Sequence, residues 1–371
     1  MEMVKVCHMT SAHESEDLRI FTNEGISLAK AGYEVFEVAH GESYEKNGVH
    51  IVGVGDIPDS RLRRMTQGAK RVYETALALD CDIYHFHDPE LLPYGLKLKK
   101  KGKKVIFDSH ENTVEQIMEK EWIPNVIRKP AYQLFHWYQK HICRQLDAVI
   151  SVTPHICDYF RKITPNTYMI TNYPVLQPLP EGRERIHGSV CFAGGISKQW
   201  NHEKIIQAME RIDGCRYVLC GAGDSRYLES LKKLPAWGKV DFRGKLPHEE
   251  INDILASCQI GMSVLSYNHN TGFQTGTMGN TKIFEEMMAG LPIICTDFDL
   301  WREFVERYHC GICVNPESVD EIAEAIQYLI DHPEEAKRMG ENGRKAVKEE
   351  FNWGVEEKKL LRLYEAIMSQ A

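Results

Sequence analysis

The run Asn280-Thr-Lys-Ile-Phe-Glu285-Glu-Met-Met-Ala-Gly-Leu-Pro-Ile-Ile-Cys295 combines residue types suited to holding a nucleotide. It reads as a helix entered from a polar loop and left at Gly290 into a strand. The backbone N–H groups of Asn280, Thr281 and Lys282 would stand at the helix start without partners, an arrangement that attracts anions. Lys282 adds a full positive charge, and Glu285, one turn later, supplies a carboxylate that can accept from ribose hydroxyls. Ile283, Phe284, Met287 and Met288 make the buried side of the same helix. The competing reading is a core helix with a Lys282–Glu286 surface pair at i,i+4.

Other chemistry-bearing residues gather at the ends of strand-like runs, where open α/β sheets place their ligands. In the first half these are Ser11-Ala-His13-Glu-Ser-Glu-Asp17-Leu-Arg19, His85-Phe-His87-Asp88-Pro-Glu90 and Asp108-Ser-His110-Glu111. In the second they are Gly194-Gly195-Ile-Ser-Lys198, Gly221-Ala-Gly223-Asp224, Arg243-Gly244-Lys245 and the loop from Ser266 to Asn280. One half is rich in His and Asp, the other in Gly and Lys. A cleft between them would set acid, base and hydroxyl-binding groups opposite a phosphate site. His85-x-His87 with Asp88, Asp108 and His110 also resembles the metal-ligand set of a hydrolase, since alternation puts both histidines on one strand face. That reading leaves the Gly- and Lys-rich loops unexplained. Asp297-Phe-Asp299, ahead of a helix over 300–308, reads as an N-cap.

Strands expected at 4–9, 34–39, 50–54, 83–87, 104–108 and 148–152 alternate with helices at 21–31, 62–79, 92–101 and 125–146. A Pro-rich linker follows at 173–187, and the pattern restarts with strands at 189–192, 217–220, 239–243, 260–264, 292–295 and 312–314. Strand–helix alternation argues for parallel sheets with helices on both faces. The expected organisation is therefore two Rossmann-like α/β domains, 1–172 and 188–350, and a C-terminal helix over 351–371.

At 371 residues, 43% hydrophobic and 26% charged, the chain has material for two cores. No apolar run approaches a membrane span, and the N-terminus is too brief for a signal peptide, so a cytoplasmic location is expected. Eleven cysteines, an odd number spread through strands and helices, fit reduced buried thiols. Cys310-Gly-Ile-Cys313 has half of a zinc-site spacing but no second pair. The formal net charge of −8 and the lack of any RNA-reading signature argue against nucleic acid. Basic runs at Arg61-Leu-Arg-Arg64 and Lys97-Leu-Lys-Lys-Lys-Gly-Lys-Lys104 have an aromatic neighbour. Trp122, Tyr132, Phe135, Trp137 and Tyr138 lie among Arg128, Lys129, Lys140 and Arg144. These suit peripheral contact with anionic headgroups at the inner membrane face.

Together these motifs resemble the GT-B glycosyltransferases of glycosyltransferase family 4. The likeness spans essentially the whole chain. It is most specific in Lys282-Ile-Phe-Glu285-Glu-Met-Met-Ala-Gly-Leu-Pro-Ile-Ile followed by Asp297-Phe-Asp-Leu-Trp-Arg-Glu303. It is nearly as specific in Asp17-Leu-Arg19-Ile-Phe, His87-Asp-Pro-Glu-Leu-Leu-Pro93 and Asp108-Ser-His110-Glu111, similar to bacterial members that build surface polysaccharides. The resemblance implies a retaining, metal-independent transfer from a UDP- or GDP-sugar co-substrate to a glycan or lipid-linked acceptor, with no further cofactor. It implies that Glu285 holds the donor ribose and that His110 lies beside the transferred sugar.

Donor-side candidates are then Gly194, Gly195, Lys198, Gly221, Gly223, Arg243, Lys245, Asn280, Thr281, Lys282 and Glu285. His13, Asp17, His87, Asp88 and Glu111 stand on the acceptor side. The chain departs from the family pattern in three places. Thr277 replaces the first of two glutamates eight residues apart, Trp200 stands where a basic residue often follows the Gly-Gly turn, and Ser11 to Asp17 replaces a first-domain Gly-Gly loop. Lys198 and Lys282 are left as the expected diphosphate cations. In the retaining class the leaving phosphate oxygen takes the acceptor proton, so no protein base is needed. A sugar-nucleotide epimerase and a catalytically silent nucleotide-binding subunit are the alternatives on the same fold.

Overall fold

The computed structural model describes residues 3–369 except 57, 59, 112, 120–122, 179–183 and 270. Trp122 and the end of the Pro-rich passage therefore lie outside the described residues. The chain divides into two compact units, one formed by Met1–Asn172 with Trp353–Ala371 and the other by Tyr173–Asn352.

In the N-terminal unit the strands are β1 Lys5–Met9, β2 Glu34–Ala39, β3 Tyr44–Lys46, β4 Val49–Gly53, β5 Ile83–Phe86, β6 Lys104–Ser109, β7 Ala148–Ser151 and β8 Thr167–Met169. They form one sheet in the order β3-β4-β2-β1-β5-β6-β7-β8. Only β3 runs antiparallel, paired with β4. This short hairpin arm and β8 have no apolar alternation, which is why the sequence did not reveal them. In the C-terminal unit β9 Ser189–Ala193, β10 Arg216–Cys220, β11 Val240–Gly244, β12 Ile260–Ser263, β13 Ile293–Thr296 and β14 Gly311–Val314 are all parallel, ordered β11-β10-β9-β12-β13-β14. Strand order reverses between β1 and β5 in one sheet and between β9 and β12 in the other. Open α/β sheets generally place their ligands at such reversal points, beyond the carboxyl ends of the strands.

Each sheet has apolar layers on both faces. In the N-terminal unit Val6, Ile83 and Ile106 face Phe21 and Leu28 on one side, and Leu360, Leu363, Tyr364 and Ile367 of the helix Trp353–Ser369 complete that layer. Trp353 Nε1 donates to Ser27 Oγ at 2.9 Å, and Glu356 accepts from the Thr171 amide at 2.9 Å. The expected helix over 21–31 begins earlier. Leu18–Gly25 is a wide turn in which the amides of Phe21 and Thr22 both reach the Asp17 carbonyl, and it continues as the α-helix Ile26–Lys30.

In the C-terminal unit the helix Thr281–Met288 is capped by Asn280. Behind it the helix Pro333–Glu349 packs at Gly340, where an added Cβ would lie 2.0 Å from the Gly290 carbonyl oxygen. The expected N-cap ahead of residue 300 takes a different form. The helix starts at Asp299 itself, Phe298 stands at the cap position with no side-chain bond, and Asp297 turns instead to Tyr267 and Arg302. Asp299 still lies in the first turn, where a carboxylate complements the helix dipole.

Gly340→Ala forces a Cβ against backbone that cannot yield. It should lower unfolding free energy by ~1–3 kcal/mol in chemical denaturation, whereas Gly238→Ala, with open space around it, should stay within ~0.5 kcal/mol.

Candidate functional site

Register builds the polar cluster of the N-terminal unit. β1 and β5 pair with His8 opposite His85, and β5 and β6 pair with His85 opposite Ile106, so His87 and Asp108 follow side by side at the strand ends. Arg19 reaches into this row from the wide turn. Its Nε donates to Asp108 Oδ2 at 2.6 Å and its Nη2 lies 3.2 Å from Glu24 Oε1, all three side chains being buried. Burial alone would raise the Asp108 pKa, but Arg19 and His110 hold it well below the carboxylate range. Glu24 goes the other way, pushed well up by burial despite Arg19. Arg19 favours the charged form of both carboxylates, and at Asp108, with His110, that outweighs burial, whereas at Glu24 burial prevails.

Imidazoles continue the network. His110 Nε2 is 3.2 Å from both Asp108 Oδ2 and His87 Nδ1, and His87 Nε2 is 3.0 Å from His8 Nδ1. Burial pushes His87 down to about 4 against the pull of Asp108, and His8 and His85 well below the usual range. Neutral rings can hand hydrogen bonds from one to the next. His13 differs: burial opposes its charge, yet contact with Asp88 at 3.2 Å outweighs it and raises the pKa. Asp88 also accepts from Thr10 Oγ1 at 2.8 Å and the Ser11 amide at 2.6 Å. Despite its burial, these contacts hold it below the ordinary range. Asp88 sits at the N-cap position of the turn Pro89–Leu91 but does not cap it. Its side chain fastens the loop after β1 instead.

His13, His87, Asp88 and His110 are therefore one group, with the His13 and His110 rings 5.1 Å apart. Asp17 is not among them: its carboxylate caps the wide turn through the amides of Arg19 and Ile20 at 2.8 and 3.1 Å. Glu111 is exposed and accepts from Gln116. Sequence reasoning missed His8 and Glu24 as cluster members. His8 was legible as a polar residue near the end of β1, whereas Glu24 needed the wide turn to be known.

In the C-terminal unit the loops after β9 and β10 hold each other backbone to backbone. The Gly194 amide donates to the Cys220 carbonyl at 3.0 Å and Ile196 to Ala222 at 2.8 Å, while Gly221 donates to Gly244 at the end of β11 at 2.7 Å. A Cβ on Gly221 would lie 1.8 Å from the Gly194 oxygen, and one on Gly223 2.1 Å from the Ile196 oxygen. Those two glycines serve loop packing. Gly195 stands exposed in open space.

Gly194 has another role. A Cβ there would lie 1.9 Å from Lys282 Cε, so the lysine stem crosses the position where residue 194 has no side chain. Lys282 Nζ then stands 5.1 Å from the centre of the Trp200 ring, a cation–π contact. Desolvation lowers the Lys282 pKa, with Glu285 and Glu286 opposing. Glu285 is half-buried and raised by burial, against His248 and Lys282.

The expected row of free amides is shorter than the sequence suggested, since the Lys282 amide already donates to Asn280 Oδ1 at 3.1 Å. The Lys282–Glu286 surface pair does not form. Glu286 is buried, accepts from Ser263 Oγ at 2.9 Å and is pushed up to about 8 by burial. Thr277 offers its carbonyl to Trp301 Nε1 at 2.6 Å, which pins the preceding loop. Lys198 and Lys245 are exposed and form no ion pair among the described residues, whereas Arg243 pairs with Asp241 at 2.7 Å. Cys313 Sγ lies 3.9 Å from Cys295 Sγ on the neighbouring strand, and all eleven cysteines are free.

A lysine and a glutamate thus stand at a helix start in one unit, and a histidine–carboxylate group stands at the strand ends of the other. Residues 21–172 match the family described as Glycosyltransferase Family 4, and residues 187–346 match Glycosyl transferases group 1. The chain belongs to the family 4 type of GT-B glycosyltransferases. A glycosyltransferase of Methanocaldococcus jannaschii, itself named as uncharacterized, is 26% identical over 186 residues, 48% of this chain and 45% of that one. A GDP-mannose-dependent phosphatidylinositol monomannoside mannosyltransferase of Mycobacterium tuberculosis is 28% identical over 147 residues, 38% of this chain and 37% of that one. These matches span less than half the length of either relative. Among solved structures, sucrose-phosphate synthase from Thermosynechococcus elongatus superposes with a TM-score of 0.78 at 17% identity, covering 99% of this chain and 100% of that one. HepE of Anabaena, in complex with UDP and glucose, gives 0.73 at 13% identity, covering 98% and 100%. The two-sheet glycosyltransferase fold is thus shared far beyond recognisable sequence identity.

Gly194→Ala should displace the flexible lysine stem, and at φ +156° it also strains the backbone. The expected result is nucleotide affinity weakened ~10-fold or more, by loss of ~1.4 kcal/mol, together with a lowered melting temperature. Titration calorimetry and thermal melts read the two separately.

Proposed function

We propose that this glycosyltransferase moves a sugar, with retention and without a metal at the phosphates, from a UDP- or GDP-sugar to a glycan or lipid-linked acceptor. The observation that carries this reading is Lys282, seated across Gly194 above Trp200 at the start of a helix that also bears Glu285. A partly desolvated ammonium and a helix N-terminus provide preorganised charge for a departing diphosphate, the largest electrostatic demand of the reaction. Lys198 stands exposed on the loop after β9 and can add a second cation; Lys245 is a reserve, and Arg243 is already paired. Glu285 accepts from the donor ribose. That HepE was solved with UDP and that the mycobacterial relative is named for GDP-mannose support a nucleoside diphosphate donor.

On the other unit His110 and His13 carry the sugar-facing roles, since their side chains remain 20% and 31% exposed. Asp108 and His87 orient His110, and Asp88 orients His13. None of these groups is required as a base, because the leaving phosphate oxygen takes the acceptor proton.

Donor binding should appear as thermal stabilisation by UDP or GDP, worth ~2.7 kcal/mol at ~100 times the dissociation constant. Lys282→Ala and Glu285→Ala should each abolish most of it. A full shift retained in both variants would remove this site from the donor.

The lipid-linked acceptor reading draws on the helix Asn125–Cys143. Val126, Ile127, Leu134 and Trp137 are 84%, 51%, 69% and 64% exposed, beside Lys129 and Lys140. The other basic runs are less available than the sequence suggested. Lys99 pairs with Asp147, Lys103 with Asp80 and Arg64 with Glu90, while Lys97 lies over the Tyr94 ring. No helix among the described residues is long and apolar enough to cross a membrane. Peripheral docking by this helix is the mode proposed. Leu134→Glu with Trp137→Glu should cut sedimentation with anionic vesicles ~10-fold or more, given ~1.5–3 kcal/mol for burying each apolar side chain. Unchanged sedimentation would exclude this helix.

A further inference from the structure

The N-terminal cluster holds more ligand-type groups than sugar transfer uses. His8 and His85 are register partners on adjacent parallel strands, and His87 lies two residues beyond His85 on the same face. Glu24, from the wide turn, covers that face. His8, Glu24 and His85 are 0% exposed and His87 3%. Their ligand atoms all lie within 4.8 Å of one another. His8 Nδ1 and His85 Nδ1 stand 3.8 and 3.6 Å from Glu24 Oε2, and His8 Nδ1 stands 3.0 Å from His87 Nε2. Bonds of ~2.0–2.1 Å in a tetrahedron separate ligand atoms by roughly 3.3 Å, a spacing inside that observed range.

A second observation points the same way. Neither Glu24 oxygen accepts a hydrogen bond, although both are buried. Arg19 approaches Oε1, whereas Oε2 faces the imidazoles with no cation beside it. Behind the cluster, His87 turns its other nitrogen toward Asp108 Oδ2 at 3.5 Å, the carboxylate-to-imidazole support typical of ligating histidines. Tyr364 Oη, 2.8 Å from His85 Nδ1, would yield that nitrogen to an ion.

We propose that His8, Glu24, His85 and His87 form a site for one divalent transition metal ion of the zinc type. Three imidazoles and one carboxylate are a donor set for zinc or cobalt rather than for magnesium or calcium. An ion there would clamp the wide turn to the ends of β1 and β5 and fix the row that orients His110. It would take no part at the diphosphate, which Lys282 serves in the other unit.

The test uses the full chain, stripped with chelator, loaded with cobalt or zinc alone and then desalted. About one equivalent of metal should remain, with cobalt showing the d–d absorption of a nitrogen-rich tetrahedral site. Glu24→Gln and His85→Asn should weaken retention ~10-fold or more, while His110→Asn should leave it intact. Nucleotide-induced thermal stabilisation, read on the same samples, keeps failure of the metal site distinct from failure of the donor site. If the buried variants do not fold, elemental analysis and the cobalt spectrum of the wild type decide alone. Wild-type protein that retains no metal and gives no cobalt band overturns the proposal. So does binding that is lost in His110→Asn but survives Glu24→Gln, since the ion would then sit on His87, Asp108 and His110.

Discussion

Lys282 stands over Trp200 only because residue 194 has no side chain. The family pattern puts a base near position 200, and this chain has an indole there; the charge comes instead from a helix that starts on the far side of the loop. Its stem crosses the β9 loop over Gly194, where a side chain would collide with it. The glycines around it follow from the same constraint. For that loop to lie low enough, its carbonyls must fit against Gly221 and Gly223, whose missing side chains leave the space. Thr277, Trp301 and Asn280 then pin the loop and helix start that aim the lysine. Trp200 gives the ammonium an electron-rich face without neutralising it, so the charge remains available to a ligand.

The N-terminal unit works by a different economy of charge. One guanidinium, Arg19, stands between two buried carboxylates and favours Asp108 through a 2.6 Å bond. Asp108 in turn faces both His87 and His110, so its charge sets which nitrogens of those rings point inward. The wide turn Leu18–Gly25 makes this possible. Its extra width and its Asp17 cap bring Arg19 and Glu24 over the same strand ends. A regular helix from residue 21 would leave Arg19 outside the element.

Strand–helix alternation made both sheets legible from sequence, because parallel strands buried on both faces are continuous apolar runs bounded by turns. The polar strand ends were legible too, and with them His13, His87, Asp88 and His110. Three features were not. β3 and β8 lack an apolar pattern to read. Asp17 looked like a site carboxylate, yet it caps the wide turn through the amides of Arg19 and Ile20, a role that needed the turn itself to be known. The Lys282–Trp200 contact joins residues 82 positions apart through a third, Gly194, and no local spacing encodes such a triangle.

In the proposed donor site the Lys282 ammonium answers to the β-phosphate of a nucleotide. Titration calorimetry of UDP against UMP, and of GDP against GMP, with wild type and Lys282→Met measures it as a double-difference. The substitution should weaken diphosphate binding ~10-fold or more, a loss of ~1.4 kcal/mol, and leave monophosphate binding nearly unchanged. Equal losses for both nucleotides would contradict it and make Lys282 a structural residue of the helix start.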